Sequence, residues 1–253
     1  VAATQDLTAT IEARGRDEIG RLARSFATMM AELDESVQTQ RRLVADAAHE
    51  LRTPLTSLTT NLELLGEGRG LADPQAPGLV ADAREQAHEL TVLVNDLIDL
   101  ARYGRTETHT EDVRLDLLAR RVVERAADRD GQGPEFRTEL APCLVHADPD
   151  ALERAVGNLI DNAVKWSPDG GRISVRVEES GCVSVSDEGP GIPAADLPYV
   201  FDRFYRSPTA RSLPGSGLGL AIVRQIAETH GGSVSAEPLD RGVRLRMSLP
   251  AVQ

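Results

Sequence analysis

A run of leucines and alanines in residues 41–65 steps by three and four positions, and this spacing restricts the segment to an amphipathic helix. His49 falls about 180° from the centre of the apolar stripe, and Thr53 lies about 40° from His49 on the same face. Pro54 lacks the N–H that would bond the carbonyl of Glu50, so we expect a kink just past the histidine. The stripe consists of Leu43, Ala47, Leu51, Leu55, Leu58, Leu62 and Leu65.

An exposed helix histidine by itself is ordinarily a solvated surface residue. The segment from His49 to Leu55, however, resembles the H-box of the sensor histidine kinases, because it fills the pattern H-E-x-x-T-P-L. The resemblance implies that His49 accepts a phosphoryl group, with Glu50 taking up the ring proton. It also implies that Thr53 positions water for dephosphorylation of a partner. Thr53 is alternatively explained as a pre-proline residue that favours the kink.

The composition limits the classes of partner. The chain has 253 residues, a net charge of −12 and a pI near 4.9, which suits two modest domains plus a helical segment. An acidic surface repels phosphate backbones, so nucleic acid is not expected as a partner. Cys143 and Cys182 have neither metal-ligand nor CxxC spacing, which favours inert packing in a reducing compartment.

The N-terminal region indicates a piece of a longer membrane protein. Residues 17–20 read D-E-I-G and resemble the second half of a HAMP linker, before apolar positions that extend toward the histidine helix. A short coiled-coil entry helix is the alternative. No run approaches the roughly 20 apolar residues of a membrane span, and the chain begins with Val1 rather than methionine. We expect the cytoplasmic portion of a kinase whose parent is anchored in a bacterial plasma membrane.

A second helix should follow the glycine- and proline-rich residues 66–77. Apolar positions Leu93, Ile98 and Leu100 lie outside its main packing seam, and one hairpin cannot bury both sets. We therefore predict a homodimeric four-helix bundle with His49 on the outside. The seam consists of Val80, Ala83, Ala87, Leu90, Val94, Leu97 and Ala101.

From about residue 112 short strands alternate with helices, which predicts a separate α/β domain. On the helix expected over residues 149–166, Asn158, Asn162 and Lys165 fall within about 60° of one another. Asn162 offers a neutral oxygen, the kind of ligand that Mg²⁺ accepts beside waters and phosphates. Asparagines on an exposed helix face are also ordinary, so this helix alone does not decide.

Two glycine clusters complete the pattern. Residues 187–191 (D-E-G-P-G) follow a strand, where a carboxylate can accept from an adenine amino group. Residues 215–219 (G-S-G-L-G) lead into a helix, which directs backbone amides at phosphate. No Gly-Lys-Ser/Thr follows, so this is not a Walker A loop; a tight loop–helix junction is the alternative.

In this order the motifs resemble the catalytic ATP-binding domain of histidine kinases, within the gyrase, Hsp90 and MutL superfamily. The resemblance implies adenine recognition by Asp187, Mg²⁺ binding by Asn162, phosphate contact by Lys165, and a mobile lid between Asp202 and Ser216. Arg203, Arg206 and Arg211 of the lid would neutralise the triphosphate, or are simply solvated. The other implied nucleotide-binding residues are Asn158, Trp166, Gly189, Gly191, Ile192, Phe204, Gly215, Gly217, Leu218 and Gly219.

Related ATP hydrolases carry a glutamate four residues before the metal-binding asparagine, whereas this chain has Asn158 there. A carboxamide is not a general base, so water attack should be poor and the γ-phosphoryl group is left for His49. The resemblance then implies transfer to an aspartate of a response regulator. An ATPase or chaperone-like machine, and a dimeric binder that senses ATP without transferring it, are the alternative functions.

The expected fold is an all-α helical hairpin in a dimeric four-helix bundle, followed by an α/β sandwich of the histidine kinase/gyrase/Hsp90/MutL type. The expected domains are the HAMP half (1–36), the phosphotransfer hairpin (37–104), a hinge (105–111) and the ATP-binding domain (112–253). The resemblance covers essentially the whole chain, and in its detailed sequence the chain is most similar to the MprB-type envelope-stress kinases of actinobacteria.

Overall fold

The computed structural model describes residues 18–67, 75–103, 109–129, 133–207 and 215–252. It divides into two compact units, up to Thr56 and from Ser57 onward. This boundary lies within helix α1 (Glu18–Glu67), which continues through Pro54. The single helix confirms the predicted continuity of the entry helix with the histidine segment. Asp17 lies outside the described residues. None of the helices in these ranges is long and apolar enough to cross a membrane.

In the first unit, α1 carries large apolar side chains that the chain itself leaves exposed. Among them are Leu22, Phe26, Met29, Leu33, Val44 and Leu55, at exposures of 48% to 71%. Ala47 is buried. An amphipathic helix in water is stabilised mainly by covering such a face, so these side chains form a candidate interface.

The second unit contains helix α2 (Ala76–Tyr103), which packs on helix α5 (Gly219–Thr229). Leu93 and Leu100 are buried within the chain, at 5% and 3% exposure, whereas Ile98 is 57% exposed. Leu93 and Leu100 therefore need no second chain to cover them, so only Ile98 of these three positions supports the predicted dimer. The same chain covers them, because its α/β domain returns a helix to this face of α2.

The rest of the second unit is an α/β domain with one mixed five-stranded sheet. Its elements are β1 (Glu111–Arg114), α3 (Leu115–Arg129), β2 (Glu135–Leu140), β3 (Leu144–Ala147), α4 (Pro149–Trp166), β4 (Arg172–Val177), β5 (Cys182–Ser186), β6 (Ser233–Pro238) and β7 (Val243–Ser248). The strand order is β2-β4-β5-β7-β6, with β2 and β4 parallel and the other neighbours antiparallel; β1 and β3 form a small separate ladder. This confirms the predicted fold class.

Alternation along the strands separates the two faces of the sheet. Ile173, Val175 and Val177 of β4 are at most 1% exposed, while the residues between them are polar and open. Strand β7 alternates in the same way. Helices α3, α4 and α5 contact the strands, and the core lies between them and the sheet. The polar side chains line a cavity of about 410 Å³ that includes Arg172, Arg176, Arg244 and Arg246.

Helix α4 positions much of the candidate site. Its start is set by Asp148, whose Oδ1 accepts from the amides of Asp150 (2.9 Å) and Ala151 (3.1 Å), and by Pro149 at the first helical position. The predicted inward residues are confirmed as core, since all four are at most 2% exposed. They are Leu152, Val156, Leu159 and Ala163.

Asp116, in the first turn of α3, provides a test of local stability. Both Asp116 oxygens accept from Arg114, at 2.8 and 2.7 Å, and this bonding is the main reason that the pKa of Asp116 falls to about 2. A carboxyl group whose pKa is lower in the folded chain than in the unfolded chain stabilises the fold at pH values above its unfolded-state pKa. This stabilisation is lost as the pH falls through the folded-state pKa. We expect Asp116→Asn to lower the free energy of unfolding by about 1–2 kcal/mol at pH 7. This is less than the energy equivalent of the full pKa shift, because Arg114 is half-exposed and solvent screens the pair.

Urea unfolding at pH 7 and at pH 3 measures this loss, which should shrink at the lower pH. Asp112→Asn is the matched control, because Asp112 and its partner His146 are both more than half exposed. It should stay within about 0.5 kcal/mol of the parent chain. Equal stability of Asp116→Asn and the parent at pH 7 would contradict the assignment.

Candidate functional site

The turn after β5 is built around the buried Asp187. It is 3% exposed, and its Oδ1 accepts from the amide of Gly189 at 2.8 Å. Burial raises the pKa of Asp187, although bonds from backbone amides oppose the shift. A Cβ at Gly189 would lie 2.5 Å from the carbonyl oxygen of Trp166, so a side chain cannot be accommodated there. The turn therefore keeps a carboxylate next to closely packed backbone.

Two more glycines pack closely here, Gly191 in this turn and Gly242 in the connection between β6 and β7. Gly191 has φ +74°, and a Cβ there would approach the carbonyl oxygen of Gly242 to 3.1 Å. Gly242 has φ +78°, and a Cβ there would overlap the carbonyl oxygen of Asp187. Both backbones are in the left-handed region that favours glycine. Ile192, which follows, is half-buried.

The three polar residues of α4 have different surroundings. Asn158 is only 9% exposed, and its Nδ2 donates to the carbonyl of Gly219 at 3.0 Å, whereas Asn162 is half-buried and Lys165 is exposed. Asn158 was expected on a polar face with the other two, but the start of α5 covers it. Its carboxamide therefore fastens α4 to α5, and Asn162 and Lys165 remain open for a ligand.

The end of α4 concentrates positive charge. The ammonium of Lys165 lies 5.3 Å from the centre of the Trp166 ring. Although the residue as a whole is exposed, partial burial of the ammonium and the charge of Arg206 lower the pKa of Lys165, while Glu89 of α2 opposes them. An anion beside Lys165 and Arg206 would relieve this repulsion.

The glycine loop leads directly into α5. Gly215 has φ +144°, and a Cβ there would lie 2.8 Å from Nζ of Lys165. Gly217 has φ +70°, and a Cβ there would lie 2.9–3.1 Å from the backbone of Phe204 and Tyr205. Leu218 is fully buried. The loop thus brings backbone next to the end of α4 at a helix N-terminus, an arrangement suited to anions.

The segment before the glycine loop is described only as far as Ser207. Phe204 has φ +59°, rare for a residue with a side chain, and its backbone packs against Gly217. Arg203 donates to Oε1 of Gln225 on α5 at 3.2 Å, so this lid arginine is held by the helix. Residues 208–214, including Arg211, lie outside the described residues.

The motif residues of α1 are all exposed: His49, Glu50 and Thr53 present their side chains to solvent. They belong to the first unit, whereas the α4, β5 and glycine-loop residues belong to the second. An exposed imidazole with an adjacent carboxylate can act as a nucleophile with a proton acceptor beside it.

Sequence reasoning missed one polar cluster that touches the glycine loop. Asp96 of α2 is 4% exposed, and it bonds Arg154 of α4 and Ser216 of the loop. The signal was present, since Asp96 lies three residues from Leu93 and four from Leu100 in the buried stripe of α2. A carboxylate at such a position requires partners from another element.

The residues fit a nucleotide. Asp187 supplies a buried acceptor, Gly189 and Gly215 leave space where a Cβ would intrude on neighbouring atoms, and Lys165 supplies a cation. No group of three or more His, Cys, Asp or Glu side chains that could hold a metal occurs in the described ranges. A magnesium ion here would depend on Asn162, waters and the phosphates, a ligand set that Mg²⁺ commonly uses.

Family models match all three parts of the chain. A HAMP domain matches residues 1–35, a His Kinase A (phospho-acceptor) domain matches residues 39–106, and a histidine kinase-, DNA gyrase B- and HSP90-like ATPase domain matches residues 147–253. The last two contain His49 and the α4, β5 and glycine-loop residues respectively.

Curated relatives match nearly the whole chain. A signal transduction histidine-protein kinase/phosphatase MprB of Mycobacterium sp. (strain KMS) is 47% identical over 94% of this chain and 47% of the relative. The MprB of Mycobacterium leprae (strain TN) is 45% identical over 96% of this chain and 48% of the relative. The chain therefore spans about half the length of the curated relatives it matches.

Solved structures agree with this. A mycobacterial sensor histidine kinase MprB structure is 39% identical, with a TM-score of 0.51, over 56% of this chain and 98% of that one. The Acinetobacter baumannii histidine kinase AdeS is 26% identical, with a TM-score of 0.64, over 81% of this chain and 98% of that one. The chain therefore belongs to the sensor histidine kinases and is similar to their MprB members.

Proposed function

We propose that this chain is the kinase portion of a membrane-anchored sensor histidine kinase of a two-component system. With Mg-ATP it phosphorylates His49, passes the phosphoryl group to an aspartate of a response regulator, and removes phosphate from that regulator. One observation carries the proposal: a buried Asp187 and a glycine loop at a helix N-terminus occur in the same chain as an exposed His49 followed by Glu50.

The phosphoryl transfer is an in-line displacement by the imidazole. A ring nitrogen of neutral His49 attacks the γ-phosphorus, the bond to the β,γ-bridging oxygen breaks, and that oxygen leaves on ADP with the bonding electrons. Glu50 accepts the proton of the other ring nitrogen. A magnesium ion held through Asn162 would neutralise charge on the phosphates. Lys165 and Arg206 bind phosphate oxygens, and Asp187 orients the adenine.

Asn158 supports transfer to histidine rather than to water. It stands where related ATP hydrolases carry a glutamate, and its amide group is already bonded to Gly219. A carboxamide neither removes a proton from water nor, in this position, turns freely toward the phosphates. Thr53 on the exposed face beside His49 is proposed to position water for the phosphatase reaction toward the regulator.

The uncovered apolar side chains support a homodimer. In the second unit Leu62, Leu64, Val94 and Ile98 are 43% to 57% exposed, in addition to the α1 residues of the first unit. A second copy of the chain covering these helices would form the proposed four-helix bundle. The region of residues 105–111, of which 105–108 lie outside the described residues, is proposed as the hinge between residues 37–104 and the ATP-binding domain at 112–253, with the HAMP half at 1–36.

The reaction can be tested with the purified chain, Mg²⁺ and γ-³²P-ATP. We expect label on the protein that is lost in acid and retained in base, as a phosphoramidate is. Asn162→Ala should reduce the labelling rate at least about 100-fold, because a metal ion supplies several kcal/mol of charge stabilisation. AMP, which lacks the β- and γ-phosphates, should still bind this variant and so serves as the folding control.

The alternative functions predict different outcomes in the same labelling assay. Release of labelled phosphate without labelled protein would indicate an ATPase, and ATP binding with neither product would indicate a binder. A normal labelling rate in Asn162→Ala would remove the metal assignment. Addition of a purified response regulator should move the label from the kinase to the regulator.

A further inference from the structure

Asp96 of α2 links this helix to both α4 and the glycine loop. Its Oδ1 lies 2.5 Å from a terminal nitrogen of Arg154, and its Oδ2 accepts from the Ser216 hydroxyl at 2.6 Å. Arg154 also reaches Asp99, one helical turn along α2, through its Nε at 2.7 Å. We refer to Asp96, Arg154 and Ser216 as the clasp.

The clasp occupies groups that a phosphate would use. Ser216 has one hydroxyl proton, and it is donated to Asp96. The same oxygen accepts from the amide of Leu218, just before the first turn of α5, at 3.1 Å. Backbone amides at this position of a helix are the donors that bind anions. With the clasp closed, the amide of Leu218 is therefore bonded to the protein.

The carboxylate of Asp96 also opposes an anion, although the charge of its partner Arg154 offsets part of this effect. Asp96 is 4% exposed, so its negative charge is weakly screened, and only one hydroxyl separates it from the glycine loop. Burial is the largest effect on Asp96 and raises its pKa, whereas the hydrogen bond from Ser216 and the charge of Arg154 lower that pKa. A triphosphate entering the loop would meet a buried carboxylate that already holds the donors.

We propose that Asp96 is a positioning residue that holds the glycine loop on α2 in competition with the nucleotide phosphates. This inference rests on the proposed function, because it takes the loop to be the phosphate site. Binding of the β- and γ-phosphates breaks the Asp96–Ser216 bond and frees the amide of Leu218. Since coupling between two contacts is reciprocal, loss of the clasp tightens ATP binding, and ATP binding loosens α2 from the ATP-binding domain.

The test compares Asp96→Asn with the parent chain, using Mg²⁺ with a non-hydrolysable ATP analogue. An asparagine removes the negative charge, and its single carbonyl oxygen cannot replace both carboxylate oxygens, which accept from Ser216 and Arg154, so the clasp is weakened in either orientation. We expect the dissociation constant, measured by calorimetry, to fall about 5- to 20-fold, within the usual range of coupling between sites. Fluorescence of Trp166, the single tryptophan, reports the same titration independently.

AMP and Asp99→Asn are the controls. AMP carries no β- or γ-phosphate, so its affinity should be the same in Asp96→Asn and the parent. Asp99→Asn removes the other carboxylate partner of Arg154 but leaves Asp96 and Ser216 in place, and should change the analogue's affinity less than about twofold. Thermal melting verifies that each variant is folded.

Ser216→Ala covers the case in which Asp96→Asn does not fold. It breaks the link to the loop, keeps the Asp96–Arg154 pair and frees the amide of Leu218, so it should also tighten binding of the analogue. Unchanged or weaker binding in the folded variants would overturn the inference. If the parent chain itself bound neither AMP nor the analogue, the proposed function would fail instead, which is a separate result.

Discussion

Replacing His49 by glutamine should abolish protein labelling from γ-³²P-ATP, to at least about 1,000-fold below the parent, because a carboxamide has no nucleophilic lone pair comparable to that of imidazole. His49 is exposed on α1, so the change removes no core contact and should leave the melting temperature within about 2 °C. Nucleotide affinity should also be unchanged, since the proposed binding residues are elsewhere in the sequence.

His88→Gln is the matched control, because His88 is likewise an exposed histidine on a long helix. It should label at the parent rate. The chain has five histidines, so survival of acid-labile label in His49→Gln would identify another of them as the acceptor and refute the assignment of His49. Label lost from both variants would point to a disturbed helical region rather than to one nucleophile.

Periodicity predicted the local structure well where one element has one buried face. Helix α4 has four inward residues at spacings of three and four, and all four are core residues. Strands β4 and β7 alternate strictly, and so do their burial patterns. In these elements the hydrophobic pattern and the backbone geometry require the same orientation, so no knowledge of the tertiary fold was needed.

Periodicity was less informative where an element has two faces to cover. Helix α2 carries two sets of apolar positions, and the sequence does not indicate which set meets the same chain. The structure covers Leu93 and Leu100 with the α/β domain, whereas Val94 and Ile98 stay exposed. The choice depends on contacts between residues more than 100 positions apart, and a local pattern cannot specify these.

Motif order located the candidate site, but it did not reveal how the site is held. Asp187 and the glycine loop were identified from residue type and spacing alone. Asn158 was expected on an open polar face, and the structure instead bonds it to Gly219. The clasp was missed because Asp96, Arg154 and Ser216 come from three elements whose proximity only the fold creates.

Asp187→Asn should separate nucleotide binding from folding stability. The Oδ1 of Asp187 already accepts from Gly189 at 2.8 Å, so an asparagine must place its carbonyl oxygen there and turn its NH₂ group toward the ligand. An adenine amino group would then meet a donor instead of an acceptor. We expect ATP and AMP affinity to fall about 100-fold, since leaving buried hydrogen-bonding groups unpaired costs about 1–3 kcal/mol.

The same change should not weaken the fold at neutral pH. Burial raises the pKa of Asp187. A group with a raised pKa stabilises the fold at pH values below its unfolded-state pKa, and this stabilisation is lost as the pH rises through its folded-state pKa. The parent chain thus carries a disfavoured carboxylate at pH 7, which asparagine removes. Asp187→Asn should melt at or above the parent temperature at pH 7, and any advantage should shrink toward pH 4.

Melting curves at pH 7 and pH 4, with calorimetric titrations of AMP and the ATP analogue, check both halves of this prediction. Asp169→Asn, an exposed aspartate after α4, is the control and should change neither quantity. A variant that lost both stability and binding at pH 7 would make Asp187 a structural residue. Retained AMP affinity in a folded variant would show that the adenine is recognised elsewhere. Loss of AMP binding with unchanged or higher stability fits only a carboxylate that is kept buried for the ligand.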